Sequence, residues 1–173
     1  MKSNESCRGI ELILSDVDGV LTDGAIIYDN QGVESKRFHV RDGHAVKLWK
    51  RAGGRFGIVT ARNSHIVEVR AAELGVRWVR QGVDNKLATV RQLTAELGLT
   101  APQVAYIGDD LPDLPALRHV GLGVAVADAC EEVRQAANHV TIAKGGCGAV
   151  REMIELILKS QQRWDDLIKS YEV

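Results

Sequence analysis

Two aspartates spaced by one residue, Asp16 and Asp18, close the apolar run Leu12-Ile13-Leu14, and two adjacent ones, Asp109 and Asp110, close Val104-Ala105-Tyr106-Ile107-Gly108. Carboxylates brought together repel one another, so such a set needs a cation, and hard oxygen donors with few histidines or cysteines nearby select Mg2+. A phosphate can then enter. One carboxylate attacks phosphorus, and a second, protonated, gives its proton to the leaving alcohol. Thr60 and Lys86 can hold the non-bridging oxygens and offset charge in the transition state.

These residues are far apart in the chain, and the pattern of elements brings them together. An apolar run without alternation reads as a buried parallel strand, whose C-terminal end lies where open α/β sheets bind ligands. Leu12 to Ser15, Arg55 to Thr60 and Gln103 to Gly108 fit this pattern, with Thr60 at the end of the second run. Shorter strands are expected at Val76–Val79, Leu122–Val126 and His139–Ile142. Between them the spacing predicts helices. One opens at Asp42-Gly43; one over Ser64–Leu74 turns Ile66, Val67, Arg70, Ala71 and Leu74 to one side and stops at Gly75. A third has Asp84 as N-cap, with Leu87, Val90, Leu93 and Leu97 facing the core and Gly98 at its end. Leu111–His119 and Asp128–Ala137 are short helices, and Val150, Met153, Ile154, Ile157 and Leu158 mark the last. Asp29-Asn30-Gln31-Gly32, between two β-prone runs, predicts a hairpin over residues 24–40. Strands alternating with helices give an α/β fold: a three-layer, doubly wound, Rossmann-like parallel sheet over residues 10–159, with the hairpin inserted after strand one.

Composition narrows the function. The 22 basic and 23 acidic residues leave a net charge of -1, so neither nucleic acid nor an acidic membrane surface is an expected partner. Cys7, Cys130 and Cys147 are odd in number and widely spaced, against a disulfide framework or a zinc site, and they fit a cytoplasmic protein. Gly145-Gly146-Cys147-Gly148 lacks the Lys-Ser/Thr of a P-loop, and no G-x-G-x-x-G follows strand one, so a nucleotide is not expected. The five histidines show no ligand spacing, which makes packing or surface roles the default for each. Residues 1–9 read as a polar N-terminal segment and 160–173 as a polar tail punctuated by Trp164, Leu167, Ile168 and Tyr171. No apolar run approaches the length of a membrane span.

The segment Asp16-Val17-Asp18-Gly19-Val20-Leu21-Thr22-Asp23-Gly24, Thr60, Lys86 and Gly108-Asp109-Asp110-Leu111-Pro112-Asp113 resemble the four motifs of the haloacid dehalogenase-like superfamily of phosphatases. The resemblance implies that Asp16 is the nucleophile that becomes an aspartyl-phosphate and that Asp18 is the general acid, later the base that activates water. It implies Mg2+ held by Asp16, the Asp18 backbone carbonyl and Asp109, with Asp110 and Asp113 in supporting positions that orient metal-bound water or Lys86. Relatives with a long-lived phosphoaspartate carry Thr where Asp18 stands, so Asp18 favours a phosphatase.

Between Asp18 and Thr60 there is room for a hairpin and one helix, and between Thr60 and Lys86 for a helix and a strand, so no cap domain fits. Closure excludes solvent and assembles specificity contacts, and an uncapped site leaves that task to a neighbouring chain. Over roughly residues 10 to 158 the sequence resembles the capless 3-deoxy-D-manno-octulosonate 8-phosphate phosphatases. Shared segments include Phe38-His39-Val40-Arg41-Asp42-Gly43 and Gly145-Gly146-Cys147-Gly148-Ala149-Val150-Arg151-Glu152. That family implies a homotetramer with hairpins packed together, active sites completed by a neighbour, a tail reaching a neighbouring site, and a place in lipopolysaccharide assembly. Arg62 and Arg70 match the positions that meet the sugar-acid carboxylate, which a planar guanidinium suits. Ala61 and Cys147 depart from the usual Gly and the frequent Arg, with Ala61 adding a methyl group beside the phosphate loop. The alternatives are a phosphatase for another sugar acid phosphate, such as a nine-carbon ulosonate 9-phosphate, and a non-catalytic subunit of an assembly such as a phenylphosphate carboxylase. Arg62, where the nine-carbon relatives tend to carry Glu, favours the eight-carbon substrate.

Overall fold

The computed structural model describes residues 6–171, so the first five residues of the N-terminal segment and the last two of the tail lie outside the described residues. Strand β1 (Leu12–Ser15) is buried along its whole length, as a strand covered by helices on both faces must be. A small ribbon follows, β2 (Ile27–Tyr28) against β3 (Glu34–Ser35). Then come α1 (Val40–Arg51), β4 (Arg55–Val59), α2 (His65–Leu74), β5 (Trp78–Arg80), α3 (Lys86–Glu96) and β6 (Val104–Gly108). The chain finishes with α4 (Leu114–His119), β7 (Leu122–Ala125), α5 (Glu131–Ala136), β8 (His139–Val140), α6 (Ala149–Ser160) and α7 (Trp164–Lys169).

Six strands form one sheet in the order β5-β4-β1-β6-β7-β8, every pair parallel. The chain winds outward from β1 to β5, then crosses back to β6 and winds the other way. With right-handed crossovers this puts helices on both faces, α1 packing on α6 and α3 to α5 following one another across the opposite face. The core between these layers holds Trp49, Phe56, Ile58, Tyr106, Ile107 and Met153 with the whole of β1. Reversal of winding at β1 opens a crevice at its C-terminal end, between β4 and β6. Ser15 is level with Ile58 and with Ile107, so Asp16, Thr60 and Asp109 emerge side by side.

The boundaries differ from expectation where polar groups claim the backbone. Helix α1 begins at Val40, before Asp42, whose carboxylate instead accepts the Arg151 N–H at 2.7 Å and caps α6. The N-cap of α3 is Asn85, not Asp84: its side chain accepts the Ala88 N–H at 3.0 Å. The inner face of that helix is Val90, Leu93 and Thr94, with Leu87 and Leu97 only half-buried. Strand β5 starts at Trp78 because Val76 closes the end of α2, its N–H bonding Ala71 O after Gly75 turns left-handed at φ +63°. Asp128 accepts the Gly145 N–H rather than starting α5, and Glu152 takes the Ile142 and Ala143 N–H groups, ending β8 early. The tail contains α7, whose Trp164 is buried beneath the Arg151 guanidinium at 4.9 Å and the Lys159 ammonium at 5.3 Å.

Candidate active site

The crevice is a cavity of about 250 Å³ lined by Asp16, Asp18, Thr60, Ala61, Arg62, Lys86, Asp109, Asp110 and Asp113. Asp16 leaves β1 with its N–H on Ile107 O at 3.1 Å, and one carboxylate oxygen accepts the Val17 N–H at 2.7 Å. The other accepts the Lys86 ammonium, also at 2.7 Å. Lys86 is the first residue of α3, so the Asn85 cap aims it at the end of β1. Thr60, buried at the end of β4, is held by its N–H on Arg80 O and by the Val83 N–H on its own carbonyl.

Asp113 organises this cluster from beneath. Its Oδ1 accepts Lys86 at 2.5 Å and the Tyr106 hydroxyl at 2.6 Å, while Oδ2 accepts the N–H groups of Asp109 and Asp110. Burial and the Asp113 charge push the Tyr106 phenol far up, so it stays a donor. Burial works against the Lys86 ammonium, but Asp16 and Asp113 together outweigh it and raise its pKa. Asp16 is pushed up to about 6, chiefly by burial and then by Asp113, with Lys86 pulling back. Burial, Asp113 and Asp16 push Asp109 up to about 7. Oxygens of Asp16, Asp109 and Asp113 lie within 4.8 Å of one another, so the site carries more negative charge than Lys86 can balance. That imbalance and the all-oxygen donor set fit Mg2+. Asp113 already accepts four hydrogen bonds, which leaves Asp16 and Asp109 as the carboxylates with capacity for a metal. The Asp109 side chain lies against Gly19, where a Cβ would fall 2.0 Å from Oδ2.

Asp18 lines the same cavity but pairs with the ribbon and with Arg62. Its Oδ1 accepts the Lys36 ammonium, and its Oδ2 lies 3.7 Å from Arg62 Nε. Arg62 is tied to the ribbon, donating to the Tyr28 hydroxyl and the Glu34 carboxylate, both at 3.0 Å. Asp110 lines the cavity, but one of its oxygens caps the following turn by accepting the Leu111 N–H at 2.8 Å. Arg70 lies outside this cavity. Its guanidinium sits 5.6 Å from the Phe38 ring centroid and pairs with Glu73 at 2.7 Å, beside the exposed Val40 and Val69. Sequence reasoning passed over Glu34, Lys36, Ser64 and Tyr106. The available signal was the i, i+2 spacing of Glu34 and Lys36, which sets both on one face of an extended strand.

Residues 76–154 match the haloacid dehalogenase-like hydrolase family. The chain is 46% identical to the 3-deoxy-D-manno-octulosonate 8-phosphate phosphatase of Yersinia pestis over 159 residues, 92% of this chain and 85% of that protein. Identity to the Escherichia coli phosphatase of the same description is 43%, with the same coverage. Among solved structures it is similar to the Moraxella catarrhalis phosphatase of that description, in complex with magnesium ion, phosphate ion and a KDO molecule. The TM-score is 0.97 at 44% identity, with 98% of each chain covered. The cobalt-bound Haemophilus influenzae deoxy-D-mannose-octulosonate 8-phosphate phosphatase gives a TM-score of 0.88 at 42% identity, covering 91% of this chain and 92% of that one.

Proposed function

The chain belongs to the haloacid dehalogenase-like superfamily, in its capless 3-deoxy-D-manno-octulosonate 8-phosphate phosphatase family, and from that membership we propose that it hydrolyses this ester to the free sugar acid and phosphate. One observation carries the reading: Asp16, Asp18, Thr60, Lys86 and Asp109 share one cavity, in a chain matched over 98% of its length by a phosphatase holding magnesium, phosphate and KDO.

Asp16 is set for attack, since the Val17 N–H and Lys86 fix its carboxylate. An Asp16 oxygen bonds phosphorus as the ester P–O bond breaks, and Asp18 passes its proton to the departing sugar oxygen. Water then bonds phosphorus as the Asp16–phosphorus bond breaks, and Asp18 takes up the water proton. Thr60 and Lys86 hold the non-bridging oxygens. Asp16, Asp109 and the Asp18 backbone carbonyl would hold Mg2+, which when bound would neutralise charge on the phosphoryl oxygens. Asp110 and Asp113 orient these groups, and Arg62, next to Ala61, meets the sugar-acid carboxylate. Arg70, outside this cavity and mostly buried beside the exposed Val40 and Val69, fits a homotetramer in which it serves a neighbour's site. The bare ribbon residues Ile26, Ile27, Tyr28 and Val33 support that assembly. Three free cysteines support a cytoplasmic location, and no helix among the described residues is long and apolar enough to cross a membrane.

The test is phosphate release from the octulosonate 8-phosphate and a panel of other phosphomonoesters, with Mg2+ and with chelator. Turnover is expected to need Mg2+ and to fall by about 1,000-fold or more in Asp16→Asn, the loss expected when a covalent nucleophile is removed. Higher kcat/KM for a nine-carbon ulosonate 9-phosphate would refute the substrate, and an active Asp16→Asn would refute the covalent route.

A further inference from the structure

Lys36 has no part in the steps above, yet its setting is unusual. It is carried by a solvent-facing ribbon, and its side chain is 1% exposed, while that of its neighbour Arg37 is 80% exposed. Desolvating an ammonium is unfavourable unless it is paired, so its partners must hold it inward. Those partners are Asp18, whose Oδ1 accepts from Nζ, and Glu34, with an oxygen 3.4 Å away. Glu34 is fixed in turn by Arg62 Nη2 at 3.0 Å and by the Ser64 hydroxyl at 2.5 Å. Arg62 Nε, buried and without a hydrogen-bond partner, points toward the other oxygen of Asp18. The ribbon thus sets one cation on each oxygen of one carboxylate, with Glu34 between the two cations.

We propose that Lys36 is a positioning residue for the acid–base step, holding the Asp18 carboxyl in the orientation that presents a proton to the ester oxygen. The inference rests on the phosphatase reading above. When the P–O bond breaks, the proton moves from Asp18 to the departing oxygen, and the negative charge left on Asp18 faces Lys36 and Arg62. When water attacks phosphorus of the Asp16 acyl phosphate and the Asp16 O–P bond breaks, the water proton goes to Asp18 and the initial state is restored. Glu34 keeps both cations in place and offsets their mutual repulsion.

The requirement for a general acid depends on the leaving group, and that separates positioning from support of the fold. A sugar alkoxide leaves poorly without a proton, whereas p-nitrophenolate leaves without one. kcat/KM covers the steps through P–O cleavage, so it isolates the first transfer. In Lys36→Met, kcat/KM for the octulosonate 8-phosphate and for a hexose 6-phosphate should fall about 10- to 100-fold, part of the usual general-acid contribution. For p-nitrophenyl phosphate it should change by less than about 3-fold, and Lys36→Arg should regain most of the loss on the alkyl esters. Equal losses on alkyl and aryl esters, or no loss on either, would overturn the proposal. If the wild-type chain hydrolyses the hexose ester but not the octulosonate, the substrate assignment fails while the hexose arm still decides the role of Lys36. A chain inert to all three esters removes both.

Discussion

Asp113 and Asp109 are both drawn into the crevice, but their surroundings differ. Asp113 has a donor for each lone pair it can use, whereas Asp109 is half-buried beside two other carboxylates and forms no ion pair among the described residues. The unfavourable charge therefore falls on Asp109 and Asp16, raised to about 7 and about 6. A carboxylate whose pKa is raised on folding contributes stability that is complete below its unfolded value of roughly 4 and is lost as pH rises through the folded value. The metal-free protein should therefore lose stability between about pH 4 and 7 on account of these two groups. Mg2+ takes the ionised form and reverses the loss. At about 100 times its Kd it should add roughly 2.7 kcal/mol at pH 8, a Tm rise of several degrees, and much less at pH 5. Thermal denaturation with chelator and with Mg2+ at both pH values checks this, and an equal Mg2+ shift at the two would rule these acids out as ligands.

At the scale of elements, the loop after β1 is kept in shape by backbone-to-backbone approach. Gly146 donates to Val20 O at 2.9 Å, and a Cβ on Gly145 would lie 1.8 Å from Gly19 O. Gly19 itself adopts φ +83° and lies against the Asp109 side chain, so the Gly-Gly-Cys-Gly turn meets the Asp-x-Asp loop backbone to backbone and Asp109 packs directly on that loop. Gly19→Ala should cost about 1–3 kcal/mol and raise the Mg2+ needed for half-maximal phosphate release by about tenfold or more, because Asp109 must move. Gly32→Ala, at φ +77° with open space around it, is the control and should leave the Mg2+ requirement unchanged. The parallel sheet and its strand-end acids were legible because a strand buried on both faces has a plain apolar signature. Boundaries were less so: Asp42, Asp128 and Glu152 bond backbone groups that are close only after folding. Lys36 was missed for a similar reason, since a hairpin lysine ordinarily faces water and its pairing with Asp18, 18 residues away, forms only after folding.

On the scale of the whole molecule, the ribbon both joins the crevice and leaves apolar surface bare. Glu34 and Lys36 bond crevice residues and Tyr28 shares the Glu34 face, while Ile26, Ile27, Tyr28 and Val33 leave 54%, 42%, 55% and 57% of their surface in solvent. Burying such a patch against identical patches is the assembly proposed here, and it predicts that Ile27→Asp shifts sedimentation velocity from a tetramer to smaller species. A wild-type chain that sediments as a monomer at micromolar concentration would refute it. The ribbon also has a temporal consequence. It reaches the crevice as a strap bound by Lys36 and Arg62, with no hinged domain above Asp16 among the described residues. Each catalytic cycle therefore has no large closing or opening movement to wait for, and water needed for the second half of the cycle is always within reach. Such an enzyme sets its pace by bond breaking and by the escape of two small products, and its clock is chemical rather than mechanical.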